Sequence, residues 1–445
     1  MSRKRVTLIT GKLAEPALRK VMSGFASTVE YDLIVMPVQV AALMTTRYIA
    51  RKLPSDVSNK VVIPGGCKGK ISEISKKTGH TVSRGPEDIS GLPEYFGHKK
   101  KKVVYSKPRL KIIAEIVDVP FLTVQQILKK SKQYQKDGAD WVDLGLSNDT
   151  PCPHLGETVR ELKKLGMNVS VDTFNPKEML VANRAGARMF LSVNSSNIAI
   201  APKLKGRVVV IPDFGKGITS LYNNLKTLEK MGVDYVVDPI LDPLPFGLVD
   251  SLTRYVAVRK KYPNASMMMG AGNLTELTAA DNVGINAVIT GMCTELDVEF
   301  MLTTEVVGWN SGSVAQISLA RKIMEHSYKE KTLPKGYDDR LLVLKDRIKP
   351  SFNSKEIHAM GRKVRDHNYR IFVAEGFIHI FNCTQYIKTK SAEELFDKLN
   401  VDDPSHAYYL GKEVQKAQTA LQLGKNYIQE HQLDWGYLSH KRQGS

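Results

Sequence analysis

No apolar run in the 445 residues approaches the length needed to cross a membrane. The chain opens Met1-Ser-Arg-Lys-Arg and passes into Val6-Thr-Leu-Ile with no apolar leader and no cleavage site, so a cytoplasmic protein is expected. Cysteine is scarce: Cys67, Cys152, Cys293 and Cys383 lie far apart, and none belongs to a C-x-x-C pair. That argues against a disulfide framework and against a zinc knuckle. Cys152-Pro-His154 offers two ligands, which is not a metal site, and no metal-ligand set is read. Helix-turn-helix, RNP and zinc-finger patterns are absent, as are low-complexity tracts. Negative charge is in deficit: Lys and Arg exceed Asp and Glu to leave a net charge of +18. A solvated basic surface, affinity for anionic small molecules, or nucleic-acid binding would each account for it. The densest basic run, His98 to Lys102, has no interleaved aromatics, which places nucleic acid last of the three.

What is present alternates between strand and helix. Over residues 1–105, strands at Val6-Thr-Leu-Ile-Thr, Tyr31-Asp-Leu-Ile-Val-Met and Val61-Val-Ile-Pro enclose helices from Glu15 and over Val40 to Leu53. This predicts a Rossmann-like N-terminal α/β domain. Gly65-Gly66 after the third strand suits either a phosphate or a plain turn. Gly85 to Gly97 reads as a linker. Residues 106–332 predict a central (β/α)8 TIM barrel. Its strands are expected at Lys111, Trp141, Val169, Phe190, Val208, Tyr235, Ser266 and Ala287-Val-Ile-Thr-Gly, because eight units over this span favour closure over an open sheet. Thr123 and Gly138 bound the first helix, and Asn175-Pro-Lys-Glu178 reads as a capping box. A helix from about Ser311 to Glu330 packs outside. Residues 345–440 predict a small C-terminal α+β domain. It has a hairpin at Asn368–Val373 and Phe377–Asn382, a short helix over Ser391 to Leu399, and a long helix opened by Asp403-Pro-Ser405 with Leu410, Val414, Ala417, Leu421 and Ile428 on one face.

The barrel strands end unusually. Val169-Ser-Val-Asp172, Phe190-Leu-Ser-Val-Asn194 and Tyr235-Val-Val-Asp238 finish apolar runs in a carboxylate or an amide, at the end of a barrel where ligands bind. Asp and Asn are also common turn residues, but three in matching places point to one pocket. A carboxylate accepts two parallel N–H bonds from an amidine-like edge such as a pterin's amino and N3–H groups. Asn194 adds both a donor and an acceptor. Asn273, between Gly272 and Leu274, follows the seventh strand. Glu115 and Asp143 are acids inside apolar strands, where a buried charge needs a partner or a role. Asp213 reads as a loop residue.

The segments Asp137-Gly-Ala-Asp-Trp-Val-Asp-Leu-Gly, Val169-Ser-Val-Asp-Thr-Phe, Arg184 to Asn194 and Val237-Asp-Pro resemble the pterin-binding barrel family. That family contains dihydropteroate synthases and methyltetrahydrofolate–corrinoid methyltransferases. Leu8 to Leu18, Val40 to Thr46, Lys331-Thr-Leu-Pro-Lys and His406 to Glu413 resemble its dihydropteroate synthase-related proteins of archaea and of bacteria using tetrahydromethanopterin. The resemblance implies that Asp172, Asn194 and Asp238 hold a pterin, as substrate or cofactor, in folate or tetrahydromethanopterin metabolism. Dihydropteroate synthases carry a Ser-Arg-Lys-type segment after the seventh strand and Arg-x-His after the eighth. Here Gly270-Ala-Gly-Asn and Ile289-Thr-Gly-Met stand there, and Val117-Asp118 replaces the metal-supporting Asn of the first strand. The set Asp172, Asn194, Asp238 and Asn273 resembles that of the corrinoid methyltransferases. Two transfer reactions are thus expected: arylamine displacement of diphosphate from a 6-hydroxymethyl-dihydropterin diphosphate, with Mg2+ accompanying the diphosphate, or methyl transfer from a methyl-tetrahydropterin to a corrinoid protein. A non-catalytic pterin carrier is the third reading. The catalytic residues stay open, and a homodimer is an expected assembly.

Overall fold

The computed structural model describes residues 4–24, 28–58, 60–98, 103–147, 149–344, 346, 352–395, 398–399 and 401–440. Lys99 to Lys102, the core of the basic run, lie outside the described residues. The chain divides into two compact units, residues 1–104 and 105–445.

In the first unit β1 (Lys4–Gly11), α1 (Glu15–Ser23), β2 (Val29–Met36), α2 (Thr46–Lys52), β3 (Lys60–Ile63), α3 (Ile71–Thr78), β4 (Thr81–Arg84) and α4 (Leu92–Tyr95) follow one another. The sheet is wholly parallel, in the order β2-β1-β3-β4. The helix expected from Val40 is broken: Ala41–Leu43 is a 3-10 turn, and α2 starts only where the Thr45 hydroxyl caps the Tyr48 amide. The expected linker from Gly85 contains α4, because Leu92 is drawn into the core with Val6, Leu8 and Met22. The Gly65-Gly66 turn is a packing feature. A Cβ on Gly65 would stand 2.6 Å from the Pro86 carbonyl, and one on Gly66 2.9 Å from the Ala42 side chain. Gly65→Ala is expected to destabilise this unit by about 1–3 kcal/mol, read by denaturant titration, because backbone cannot yield as a side chain does.

The second unit opens with β5 (Lys111–Ile116), α5 (Val124–Asp137), β6 (Trp141–Gly145), α6 (Leu155–Lys164), β7 (Asn168–Asp172), α7 (Pro176–Ala185), β8 (Met189–Val193), β9 (Arg207–Val210), α8 (Gly217–Met231) and β10 (Tyr235–Val237). It continues with α9 (Leu248–Lys261), β11 (Met268–Gly270), α10 (Gly272–Thr275), α11 (Asn282–Glu295), β12 (Phe300–Thr303) and α12 (Ser313–Glu330). The eight strands are parallel in the order β10-β9-β8-β7-β6-β5-β12-β11. A parallel bridge between Val237 and Met267, with the Val237 amide 2.8 Å from the Ser266 carbonyl, joins the two ends. The result is a closed (β/α)8 barrel.

Residues Ala287-Val-Ile-Thr-Gly, read above as the eighth strand, are in the middle of α11. The eighth strand is Phe300–Thr303, paired with both β11 and β5. A short apolar run carries no period that separates strand from buried helix. α11 packs alongside α12, and the Asn286 amide bonds Ser313 and Gln316 across that contact. The residues following the eighth strand are therefore Thr304 and Glu305. Other boundaries agree more closely. Thr123 and Gln126 form a reciprocal cap on α5, and Gly138, Gly186 and Gly232 end their helices in the left-handed conformation. Glu178 does not complete the expected capping box. Its carboxylate accepts from the Thr173 hydroxyl at 2.6 Å, while Asn175 caps Lys177.

Alternation along each strand sorts the core. Ile112, Ala114, Ile116, Val142, Leu144, Val169 and Val171 face the helices. Ile113, Met189, Leu191, Val209, Val236, Met268 and Phe300 fill the lumen. The N-terminal end is plugged by Lys111 and Arg207 on Glu299, at 2.8 and 3.3 Å. A cavity of about 750 Å³ opens beside that plug, yet its cations are already used. Arg109 pairs with Asp297 at 3.1 Å, and the Arg259 guanidinium bonds the carbonyls of Pro263, Ala265, Leu296 and Asp297. This end holds the barrel together.

The remaining elements are α13 (Ser354–Gly361), β13 (Arg370–Ala374), β14 (Phe377–Phe381), β15 (Tyr386–Thr389), α14 (Pro404–Leu423), β16 (Tyr427–Ile428) and α15 (Tyr437–His440). They make an antiparallel sheet, β15-β14-β13-β16, with its own core against α14. Asp403 caps α14. Gly424 ends it, so Ile428 lies in β16 instead of on the helix face. Of the short helix expected over Ser391 to Leu399, the described residues show a 3-10 turn at Glu393–Leu395. No helix among the described residues is long and apolar enough to cross a membrane.

Candidate functional site

Above the apolar lumen the inward positions become polar. Two residues beyond Ile113 and Trp141 stand Glu115 and Asp143, register partners on adjacent strands. Asp172 ends β7 opposite Gly145. One carboxylate oxygen from each of Glu115, Asp143 and Asp172 lies within 4.8 Å of the others. Asp238 follows β10 and is close enough for its charge to act on Asp172. Asn194 reaches the same face through an irregularity. Between Phe190 and Val193, β8 carries one residue more than β9 opposite it. That bulge turns Val193 to the helix side, so the next residue faces the lumen.

The hydrogen bonds already made fix what each side chain still offers. Asp238 Oδ1 accepts from the Tyr255 hydroxyl at 2.7 Å and the Ile240 amide at 2.8 Å, leaving Oδ2. Asn194 Oδ1 accepts from the amide and hydroxyl of Ser196 at 3.0 and 2.6 Å, leaving its NH2. Asn273 gives its NH2 to the Leu241 carbonyl at 2.7 Å, tying α10 to the loop after β10 and leaving Oδ1. Asp172 is uncommitted among the described hydrogen bonds. Asp213 is committed to local partners. Its carboxylate accepts the amide and hydroxyl of Ser195 and the Asn224 amide, which hold it near 2. It is a loop brace, as read above.

The acids in the mouth hold their protons far longer than free carboxyls do. Burial, then the charge of Asp238, pushes Asp172 up to about 7. Burial, then Asp172 and Glu276, pushes Glu115 to about 8. Asp143, fully buried, is raised well above its ordinary value by burial, then by Asp172 and Glu115. Burial raises Asp238 to about 6 against the opposing pull of Tyr255 and Ile240. Among the described residues no Lys or Arg pairs with Glu115, Asp143, Asp172, Asp238 or Glu276. Arg254, whose charge acts on Asp238, is committed to Asp242 at 2.7 Å and to the Pro239 and Ile240 carbonyls.

Three participants were not singled out in the sequence. Tyr255 looks like an apolar position of α9, Ser170 like a small residue within β7, and Glu276 like a loop acid, here accepting the Thr304 hydroxyl. The one legible signal was Val169-Ser-Val, a polar residue at an inward position. Tyr255→Phe is expected to free Asp238 Oδ1 and destabilise the fold by about 1–2 kcal/mol. Thermal unfolding checks the loss.

A family model described as a family of unknown function, DUF6513, matches residues 4–87. A second, PterinBD-DUF4346, matches residues 363–430. An uncharacterized protein of Methanocaldococcus jannaschii, MJ0107, is 26% identical over 521 aligned positions, covering 96% of this chain and 99% of that one. Solved structures that resemble the chain include dihydropteroate synthases. The Burkholderia cenocepacia enzyme complexed with 7,8-dihydropteroate is 15% identical and covers 52% of this chain and 94% of its own, with a TM-score of 0.40. The 7,8-dihydropteroate synthase of Vibrio fischeri ES114 is 12% identical, covering 50% and 94%, with a TM-score of 0.41.

Proposed function

We propose that the barrel mouth binds a reduced pterin by its amino-oxo edge and that the protein is a dihydropteroate synthase-like transferase of folate or tetrahydromethanopterin metabolism. The observation that carries this is the set of free atoms. Asp172 and Asp238 Oδ2 accept, and the Asn194 NH2 donates. A pterin presents the complement, two adjacent N–H groups beside a carbonyl oxygen. Asn273 Oδ1 and the acids Glu115 and Asp143 complete the lining. Held this way, the ring exposes its 6-substituent or N5 to a second reactant, and fixed orientation supplies much of the rate.

Two transfer chemistries use that geometry. In the first, an arylamine displaces diphosphate from the 6-methylene carbon. In the second, a methyl group leaves N5 for a corrinoid protein, with Asn273 near the changing charge. The acidity of the lining favours the second, since a diphosphate needs positive charge that these side chains do not bring. Calorimetry with dihydropterin, its diphosphate and methyl-tetrahydropterin on one preparation tests the reading. Binding of at least the first supports it, and failure of all three ends it. Diphosphate release with an aminobenzene acceptor, or methyl loss sensitive to Asn273→Ala, then assigns the chemistry.

A further inference from the structure

Glu115, Asp143 and Asp172 gather three carboxylates with oxygens within 4.8 Å of one another, on three consecutive strands. None is in an ion pair among the described residues. Proximity alone would say little, since acidic groups cluster without ligands. What singles this place out is a set of polar atoms with nothing to bond. Both oxygens of Asp143 are fully buried without a hydrogen-bond partner. The hydroxyl of Ser170, register partner of Asp143 and facing the same lumen between the outward Val169 and Val171, is buried too, near enough to act on the Asp143 carboxyl yet in hydrogen-bond contact with no atom. Below them the barrel is filled by Ile113, Met189 and Leu191, which offer no polar atom. Buried oxygen acceptors left unmatched call for a positively charged ligand or protons.

The geometry suits a cation. Oxygens on opposite sides of a Ca2+ ion stand about 4.8 Å apart, and across Mg2+ about 4.2 Å apart, from their usual bond lengths. Three carboxylate oxygens all within that span of one another can reach a single such ion. All-oxygen donors select hard divalent ions over zinc or copper.

We propose that Glu115, Asp143 and Asp172, with the Ser170 hydroxyl, form a binding site for one hard divalent cation in the barrel mouth. The inference goes beyond the pterin reading and does not depend on it, because Asp172 has two oxygens and can serve both. A cation there would offset the acidity of the lining and admit an anionic substituent on the ring.

The test is Mn2+ titration of the chelator-stripped full chain, followed by the EPR signal of free Mn2+, with Ca2+ and Mg2+ as competitors. One Mn2+ per chain is expected, displaced by either competitor. Asp143→Asn should weaken binding by about tenfold or more, and Ser170→Ala by a smaller factor. Ser170→Ala serves if the first variant does not fold. No stoichiometric binding at on the order of 1 mM Mn2+, or a site that neither substitution weakens, overturns the proposal. A reduced pterin titrated into the same preparation keeps the two readings apart. Pterin binding without a Mn2+ site removes the cation alone, and a Mn2+ site without pterin binding removes the functional reading alone.

Discussion

Asp172→Asn is expected to weaken binding of a reduced pterin about 100-fold at neutral pH while leaving the folded chain as stable as before or more so. The two effects have separate causes. An amide in place of the carboxylate keeps one acceptor but turns an NH2 toward ring N–H groups, so one hydrogen bond to a charged acceptor is lost and a repulsion replaces it. Hydrogen bonds to charged groups contribute about 1.5–3 kcal/mol each, and about 2.7 kcal/mol is a factor of 100. Stability moves the other way because burial and Asp238 already disfavour the ionised Asp172 in the folded chain. Removing that charge relieves both. Asp213→Asn is the control. It weakens the brace to Ser195, costing about 1 kcal/mol, and is expected to leave pterin affinity unchanged, because the Asp213 carboxylate is already spent on Ser195 and Asn224. Titration calorimetry and thermal unfolding on the two variants separate these outcomes. An Asp172→Asn chain that binds pterin as tightly as its parent removes this residue from the ring.

The barrel was legible because its strands are buried on both faces and punctuated by Gly stops at Gly138, Gly186 and Gly232. Those signals are local. The eighth strand was not legible, since Ala287-Val-Ile-Thr is as apolar as Phe300-Met-Leu-Thr and only tertiary pairing with β5 decides between them. The same ambiguity hid α4, where one buried Leu92 outweighs the glycines and prolines around it. In the mouth, Asp172 and Asp238 showed themselves as polar ends of apolar strands. Asn194 was singled out by the same pattern, although simple alternation from Leu191 would turn it outward. The extra residue in β8 brings it back, and no single-sequence signal marks that bulge. Tyr255 and Ser170 act through partners distant in the chain, which hydrophobic pattern does not record.

Stability is expected to fall as pH rises from about 5 to 8.5, an inversion of the usual carboxylate behaviour. Free Asp and Glu titrate near 4. In the folded chain Asp238, Asp172 and Glu115 are raised to about 6, 7 and 8, with Asp143 well above its ordinary value. Between pH 4 and 8 the native state therefore holds more protons than the unfolded one, and the derivative of unfolding free energy with pH is negative. The contribution of these groups is complete below about pH 4 and is lost as each folded pKa is passed, on the order of several kcal/mol in all. Asp213, held near 2, works in the opposite sense and loses its contribution only in strong acid, so the two limbs do not overlap. Denaturant midpoints should be highest near pH 4 and fall from there towards alkaline pH. Asp143→Asn should flatten the alkaline limb, because one of the charges forced on the interior is gone. Pterin N–H groups favour ionised carboxylates, so binding near pH 7 should release protons, seen as a dependence of calorimetric enthalpy on buffer. A flat profile for the parent chain would mean that the acids of the mouth are neutralised by something other than protons, and a hard cation is the species whose removal should then restore the slope.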